Sequence, residues 1–257
     1  MKSSKVDQAA MAPYSVDHPS FFIEGYTFDY GELLDRPNRF LATVRYQGRD
    51  VHCHVPDPGR LKEIMLPGRM VLLRFPKHQV ARKTVADLIA VQIHETREWV
   101  SVDSQLGNRL IRNLWKSLPI LSAYEVIFPE YQYENSRFDF FFDMHSGTNP
   151  TFVEVKTANL VREADITTGY FPDAPTKRGK RHILELISAV REGFRAIVLF
   201  VCPRGNVAEI KTNVEIDRDF SLAALEANSK RVEFFGLCCE FTVSGIRFVK
   251  MIPVRLA

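Results

Sequence analysis

Cysteine is scarce in this sequence and its spacing carries no structure. Four Cys stand in 257 residues, two of them adjacent, Cys238 and Cys239. That pattern fits neither a disulfide framework nor a metal-ligand spacing, and the four read as reduced thiols of a cytoplasmic protein. Long apolar runs are missing as well. The longest candidates, such as 196–202, are strand-sized, far short of the roughly 18–20 residues of a membrane helix, so no membrane partner is expected. The first twenty residues hold two Lys with no apolar stretch behind them, which does not read as a secretory signal. A Gly-rich phosphate loop and a Gly-x-Ser-x-Gly elbow are both lacking, which argues against P-loop NTPases and α/β-hydrolases.

What is present is an ordinary globular composition, 46% hydrophobic and 25% charged, with nineteen Phe to fill a core. At roughly 150 residues per domain the length suits one large domain or two ordinary ones. The net charge of +3 hides an uneven distribution: Arg36 to Lys83 carries eleven Lys and Arg against three acids, leaving the remainder mildly acidic. A basic N-terminal part fits a module that meets a polyanion, the alternative being a basic face kept for solubility.

Residues 1–20 lack periodicity and are expected to form a flexible tail. Short strand-like runs follow at 21–28, 39–46, 51–55, 70–75, 85–93 and 99–102, punctuated by Gln47-Gly48, Pro56 to Gly59 and Pro67-Gly68. Close-spaced strands without long helices predict a small barrel over 21–103, a common way to hold a nucleic-acid backbone. From Ser104 the pattern becomes helical to Leu118, with Ser104 as N-cap and Pro119 as stop. Strands are expected at 124–133, 137–143, 151–155 and 195–202, helices at 176–190 and 219–228, and two final strands. Strands alternating with helices predict a mixed sheet covered by helices over 104–257.

The most informative stretch runs from Ser136 to Asp143, through a turn-rich segment, to Thr151-Phe-Val-Glu-Val-Lys156. A symmetric hairpin places Asp139 directly opposite Glu154, and alternation puts Glu154 and Lys156 on one face. Two facing carboxylates repel and resist burial, a cost that a divalent cation offsets. Mg²⁺ (or Mn²⁺) suits such a site, since it takes one or two carboxylates plus waters and phosphate oxygens. Glu130 from the preceding strand, or less favourably Glu125, would complete it, and Lys156 would orient water or steady a phosphate. The chemistry served is metal-assisted phosphodiester hydrolysis. The alternative is a surface Glu154–Lys156 ion pair in a different register. Downstream, Lys177, Arg178, Lys180 and Arg181 crowd the start of the 176–190 helix, the end that disfavours cations unless an anion binds there. His182 and Glu185 share a face of that helix, and Arg181 reaches Glu185 at four residues. His52 and His54 share a strand face, without an evident third metal ligand.

Together these segments resemble the sugar fermentation stimulation protein A family. The resemblance rests on Arg39-Phe-Leu-Ala-Thr-Val44, Pro58-Gly-Arg-Leu61, Asn108-Arg-Leu110, Ser136-Arg-Phe-Asp-Phe140, Val153-Glu-Val-Lys156, Gly169-Tyr-Phe-Pro-Asp-Ala174, and Arg178-Gly179 followed by His182. It implies an α/β, mixed chain: an OB-like N-terminal barrel joined to a restriction-endonuclease-like domain of the Pro-Asp…Asp/Glu-x-Lys class. It also implies DNA binding without sequence preference and a regulatory role in sugar (maltose) metabolism. The nuclease core then maps to Asp139, Glu154 and Lys156, with Glu130 upstream. Expected nucleic-acid contacts are Arg60, Arg74, Arg82, Lys83 and Arg109, with Lys177, Arg178, Lys180, Arg181 and His182 on the helix start. The partner would be DNA, single- or double-stranded, or RNA. The family's Cys-Pro-Asn-Thr-Gly reads Cys53-His-Val-Pro-Asp-Pro-Gly59 here, and its Val-Thr-Leu reads Ala158-Asn-Leu160. Two functions follow: a nuclease, or a DNA-binding regulator or architectural factor that keeps the nuclease fold without cutting.

Overall fold

The computed structural model describes residues 26–78, 81–144, 149–242 and 245–257; the expected tail over 1–20 lies outside them. Six strands come first: β1 (Tyr26–Asn38), β2 (Leu41–Tyr46), β3 (Arg49–His54), β4 (Met70–Pro76), β5 (Ala86–Gln92) and β6 (Trp99–Ser101). They follow the order β3-β2-β1-β4-β5-β6, and β3 also pairs in parallel with β5 through Cys53–Ala86 and His54–Asp87. That pairing closes the sheet into a barrel. β1 is longer than expected because it serves two partners, β4 along 26–32 and β2 along 32–38. Its polar Asp29 and Glu32 mask a strand that the sequence pattern ends at Phe28. Gln47 and Gly48 both have positive φ, 48° and 76°, as a two-residue hairpin between twisted strands requires. Leu33, Val44, Cys53, Val71, Leu73 and Leu88 fill the barrel interior.

The second part opens with α1 (Leu106–Leu114) and a 3-10 turn at Trp115–Ser117. β7 (Val126–Tyr133), β8 (Ser136–Asp143), β9 (Thr151–Thr157), β10 (Leu160–Arg162) and β11 (Asp165–Phe171) follow. Next come α2 (Lys177–Arg191), β12 (Arg195–Cys202), β13 (Glu209–Thr212) and α3 (Arg218–Ser229), then β14 (Glu233–Thr242), β15 (Gly245–Ile252) and β16 (Val254–Arg255). The large sheet has the order β15-β14-β12-β9-β8-β7, with β9, β12 and β14 parallel at its centre. β12 reads Arg-Ala-Ile-Val-Leu-Phe-Val-Cys and is buried from Ala196 onward, as parallel strands covered on both faces are.

One face of this sheet packs on α1 and on the outer wall of the barrel, where Leu72, Ile89 and Ala90 join Leu110, Val153 and Leu199 in a single core. The other face is covered by α2 and α3 through Ile183, Leu186, Phe220 and Ala224. The barrel and the α/β part are thus held together by shared apolar contacts. A four-stranded sheet, β10-β11-β13-β16, has no counterpart in the sequence expectations, its members being short and β11 being interrupted by Gly169. Ser104 is not the cap of α1. Its hydroxyl donates to the carbonyl of Pro56 at 2.7 Å, and Gln105 occupies the cap position without a side-chain bond. α2 does begin where expected, with Thr176 Oγ1 accepting from the Gly179 N–H at 3.0 Å. Among the described residues no helix is long and apolar enough to cross a membrane.

Candidate active site

β8 and β9 pair antiparallel through Phe140–Val153, Phe141–Phe152 and Phe142–Thr151. This is the expected register; residues 145–148 of its turn lie outside the described set. The next position along it holds Asp139 and Glu154, and there the strands open. Asp139 Oδ2 accepts from the Val155 N–H at 2.8 Å, and its Oδ1 accepts from Asn108 Nδ2 on α1 at 2.7 Å. Strict alternation fails at this point: Phe138 joins the α2–α3 core while Phe140 joins the opposite one. Glu154 is 2% exposed. Its Oε1 meets His182 Nδ1 at 2.6 Å and is also paired with Lys156 Nζ. Its Oε2 is buried with no hydrogen-bond partner among the described residues.

These groups line a cleft of about 440 Å³ that draws residues from both parts of the chain. The loop after β3 contributes Asp57 and Gly59, and the loop before α2 contributes Asp173. Gly59 donates its N–H to Asp57 Oδ1 at 2.8 Å. A Cβ at Gly59 would stand 2.3 Å from Asp173 Oδ2 and 2.9 Å from Asp57 Oδ1, so the approach of the two loops requires glycine there. The Leu61 N–H reaches the same Asp173 oxygen at 3.5 Å.

The carboxylates differ in basicity. Burial, with the neighbouring Glu154 charge, pushes Asp139 up to about 6 against the opposing pull of Lys156, the Val155 N–H and Asn108. Burial also pushes Asp57 up to about 6; the Gly59 N–H opposes it and Asp173 adds to it. For Glu154 burial acts upward too, but the Lys156 charge and the His182 hydrogen bond outweigh it and hold the carboxyl below its ordinary value. An ionised carboxylate with one buried, unpartnered oxygen, beside a second fixed by two donors, fits a hard cation that prefers oxygen ligands. Among the described residues no group of three or more His, Cys, Asp or Glu is gathered to hold a metal. A cation here would therefore take these two carboxylates and fill its shell with water and phosphate oxygens, as Mg²⁺ prefers.

Residues 34–102 match the model of the SfsA N-terminal OB domain, and residues 105–245 match that of the sugar fermentation stimulation protein RE domain. The chain belongs to the sugar fermentation stimulation protein family. The sugar fermentation stimulation protein homolog of Clostridium tetani is 37% identical over 227 residues, covering 88% of this chain and 96% of that one. The homolog of Methanosphaera stadtmanae is 36% identical over 214 residues, covering 80% and 85%. Among solved structures, Pyrococcus furiosus SfsA in complex with Ca²⁺ matches at a TM-score of 0.79 and 28% identity, covering 89% of this chain and 96% of that one. The OB-like barrel and the restriction-endonuclease-like α/β domain expected from the sequence are the fold of this family member.

Asp139, Glu154 and Lys156 come together in the cleft as expected from the family resemblance. Glu130 does not join them. It sits at φ 54°, the β7–β8 ladder skips the position pairing it with Asp139, and its exposed carboxylate pairs with Arg137 at 2.9 Å. Several expected nucleic-acid contacts are internal ion pairs instead. Arg74, 12% exposed, bridges Asp87 and Asp103 at 3.1 and 3.0 Å. Arg82 pairs with Asp87 and Arg109 with Asp103. Each of these cations faces a nearly buried acid, so its charge is neutralised within the fold. His182 is buried on Glu154 rather than presented to solvent. Lys180 pairs with Asp219, and Arg181 with Glu185 at the expected four-residue spacing. Arg60, Lys83, Lys177 and Arg178 are exposed, and Arg178 lines the cleft while its Nε donates to His182 Nε2 at 3.4 Å. His54 meets Asp87 at 3.4 Å, and all four Cys are buried and free. Asn108 and Asp173 were missed as site residues; their only signal was membership of the short segments on which the family resemblance rests. Asp57 stands in the 53–59 stretch that departs from the family pattern, which left a contact through this loop unassigned.

Proposed function

We propose that the protein binds nucleic acid and hydrolyses its phosphodiester backbone with a divalent cation, Mg²⁺ or Mn²⁺, held by Asp139 and Glu154. The observation that carries this reading is Glu154 Oε2, ionised, buried and unpartnered in a cleft it shares with Asp139 and Lys156. An uncompensated carboxylate oxygen is costly to bury and is retained where a ligand completes it. The Ca²⁺ in the solved structure of Pyrococcus furiosus SfsA supports a cation site in this fold.

The cation would supply charge against the phosphoryl oxygens and acidify a bound water. The rest falls to the chain. Asn108 and the Val155 N–H fix the Asp139 carboxylate, and His182 fixes Glu154 so that a single oxygen is left without a partner. Lys156, held beside Glu154, places a positive charge in the cleft to orient water or stabilise the phosphate. A role in sugar (maltose) metabolism would then act through the nucleic acid engaged.

The direct Lys156–Glu154 ion pair, which leaves the ammonium engaged, favours a second reading, a DNA-binding regulator or architectural factor that does not cut. Labelled single- and double-stranded DNA incubated with Mg²⁺ or Mn²⁺ separates the two. Cleavage by the wild type, lost in Glu154→Ala and in Lys156→Ala with binding retained, is the expected result. Cleavage unchanged in both variants identifies a contaminant and leaves the binding reading.

A further inference from the structure

The reaction centre is recessed, and we propose that it takes a single nucleic-acid strand, anchored on a basic groove of the barrel that runs into the cleft. This deepens the nuclease reading and rests on the cleft being the reaction site. Glu154 Oε2 lies at a buried position. The cleft that contains it has about 440 Å³, the scale of pockets for small ligands, roughly 300–1,000 Å³. That is room for part of one strand and not for the cross-section of a duplex.

A second hollow of about 460 Å³ adjoins the cleft, and Arg39 lines both. Polarity reverses across that one residue. The groove carries Arg36, Arg39, Arg60 and Lys62 against Asp35. The cleft carries Asp57, Asp139, Glu154 and Asp173 against Arg39, Lys156 and Arg178. Phosphates are therefore drawn to the groove and resisted by the cleft, so a strand is gripped beside the point of reaction rather than at it.

The groove's cations divide by role. The Arg36 guanidinium donates to the carbonyls of Arg39, Asp57, Gly59 and Arg60, so it builds the wall between groove and cleft. Arg39, Arg60 and Lys62 are exposed and make no ion pair among the described residues. Phe40, next to Arg39, is 55% exposed and offers a ring on which a base can stack, a sequence-tolerant contact suited to single strands. Free cations, an exposed ring and a narrow acidic cleft at one end describe a track for an unpaired strand.

The test is fluorescence anisotropy on the full chain with Ca²⁺ present, using labelled 12-nucleotide oligo-dT, oligo-U and a blunt 12-base-pair duplex. The strand is expected to bind at least 10-fold tighter than the duplex. Combined Arg39→Glu, Arg60→Glu and Lys62→Glu should weaken strand binding at least 10-fold. The same variant should lower the salt slope by about 2, given roughly 0.7 per phosphate contact on single strands. Lys230→Glu, an exposed charge at the C-terminal cap of α3, should change nothing, and unshifted melting temperatures confirm that the variants fold. Equal affinity for duplex and strand, an unaffected triple variant, or an equal loss in Lys230→Glu overturns the proposal. Strand binding lost in the triple variant, with no cleavage under any metal, sinks the nuclease reading and leaves the track standing. The dT and U arms report whether DNA or RNA is held.

Discussion

His182 Nδ1 lies 2.6 Å from Oε1 of Glu154, with both side chains withdrawn from solvent at 2% and 3% exposure. Arg178 Nε donates to the other ring nitrogen at 3.4 Å, which leaves Nδ1–H to donate to the carboxylate. One oxygen of Glu154 is thereby occupied, and the other is left buried without a partner on a residue that lines the cleft. Partners that orient a metal-ligating carboxylate typically matter 10- to 100-fold for metal affinity.

His182→Ala should accordingly weaken divalent-cation binding by about 10- to 100-fold, read by calorimetric titration with Mn²⁺. His182→Asn, whose amide can still donate to Oε1, should recover part of that affinity. Equal affinity in wild type and His182→Ala would show that the imidazole only fills space.

A cation that binds the folded chain alone must also stabilise it. At a concentration 100 times its dissociation constant the gain is about 2.7 kcal/mol. The melting temperature should rise with Mg²⁺, Mn²⁺ or Ca²⁺ in the wild type and stay flat in Glu154→Gln. A rise of equal size in both would place the binding elsewhere.

Asp57 and Asp139 give a pH signature. Each keeps its proton to about 6 in the folded chain, whereas an unfolded Asp releases it near 3.9. Between those values the folded state binds more protons, so stability is highest below the unfolded value and is lost as pH rises through about 6. Asp57→Asn keeps an acceptor for the Gly59 N–H and removes the charge. It should stabilise the protein at pH 8 by up to about 3 kcal/mol, with the gain vanishing near pH 4. Chemical denaturation at the two pH values measures it, and a gain independent of pH contradicts the assignment.

Arg74 and Arg60 separate structural from surface charge. Arg74→Ala would leave Asp87 and Asp103 with less compensation in a nearly buried network, costing about 3 kcal/mol of stability. Arg60→Ala should stay within about 0.5 kcal/mol and weaken strand binding instead. Urea denaturation of both variants decides, and a neutral Arg74→Ala would mean that the network contributes nothing.

Much of the site was legible because local rules govern it. The β8–β9 register follows from a symmetric turn, and period-2 alternation puts Glu154 and Lys156 on one face. Alternation failed at Asp139, where the strands part so that the carboxylate can take the Val155 N–H, an event no pattern in the chain announces. Glu130 misled for a similar reason: its positive φ interrupts the ladder on β7. Arg74, Arg82 and Arg109 looked like surface charge because their partners, Asp87 and Asp103, stand 5 to 29 positions away at spacings that no helix or strand period brings together. Asp57 and Asp173 stand 116 residues apart in the chain and meet only because the barrel packs on the large sheet. β1 shows the same limit at the level of the fold, since its second half is a strand by virtue of pairing with β2 rather than by its own alternation.

Anomalous diffraction from crystals grown with Mn²⁺ tests the central claim most directly. A single strong peak bridging the carboxylates of Glu154 and Asp139, with oxygens within about 2.6 Å, is the predicted result. A cleft with no peak under saturating Mn²⁺, or a peak that touches neither Glu154 nor Asp139, would contradict it.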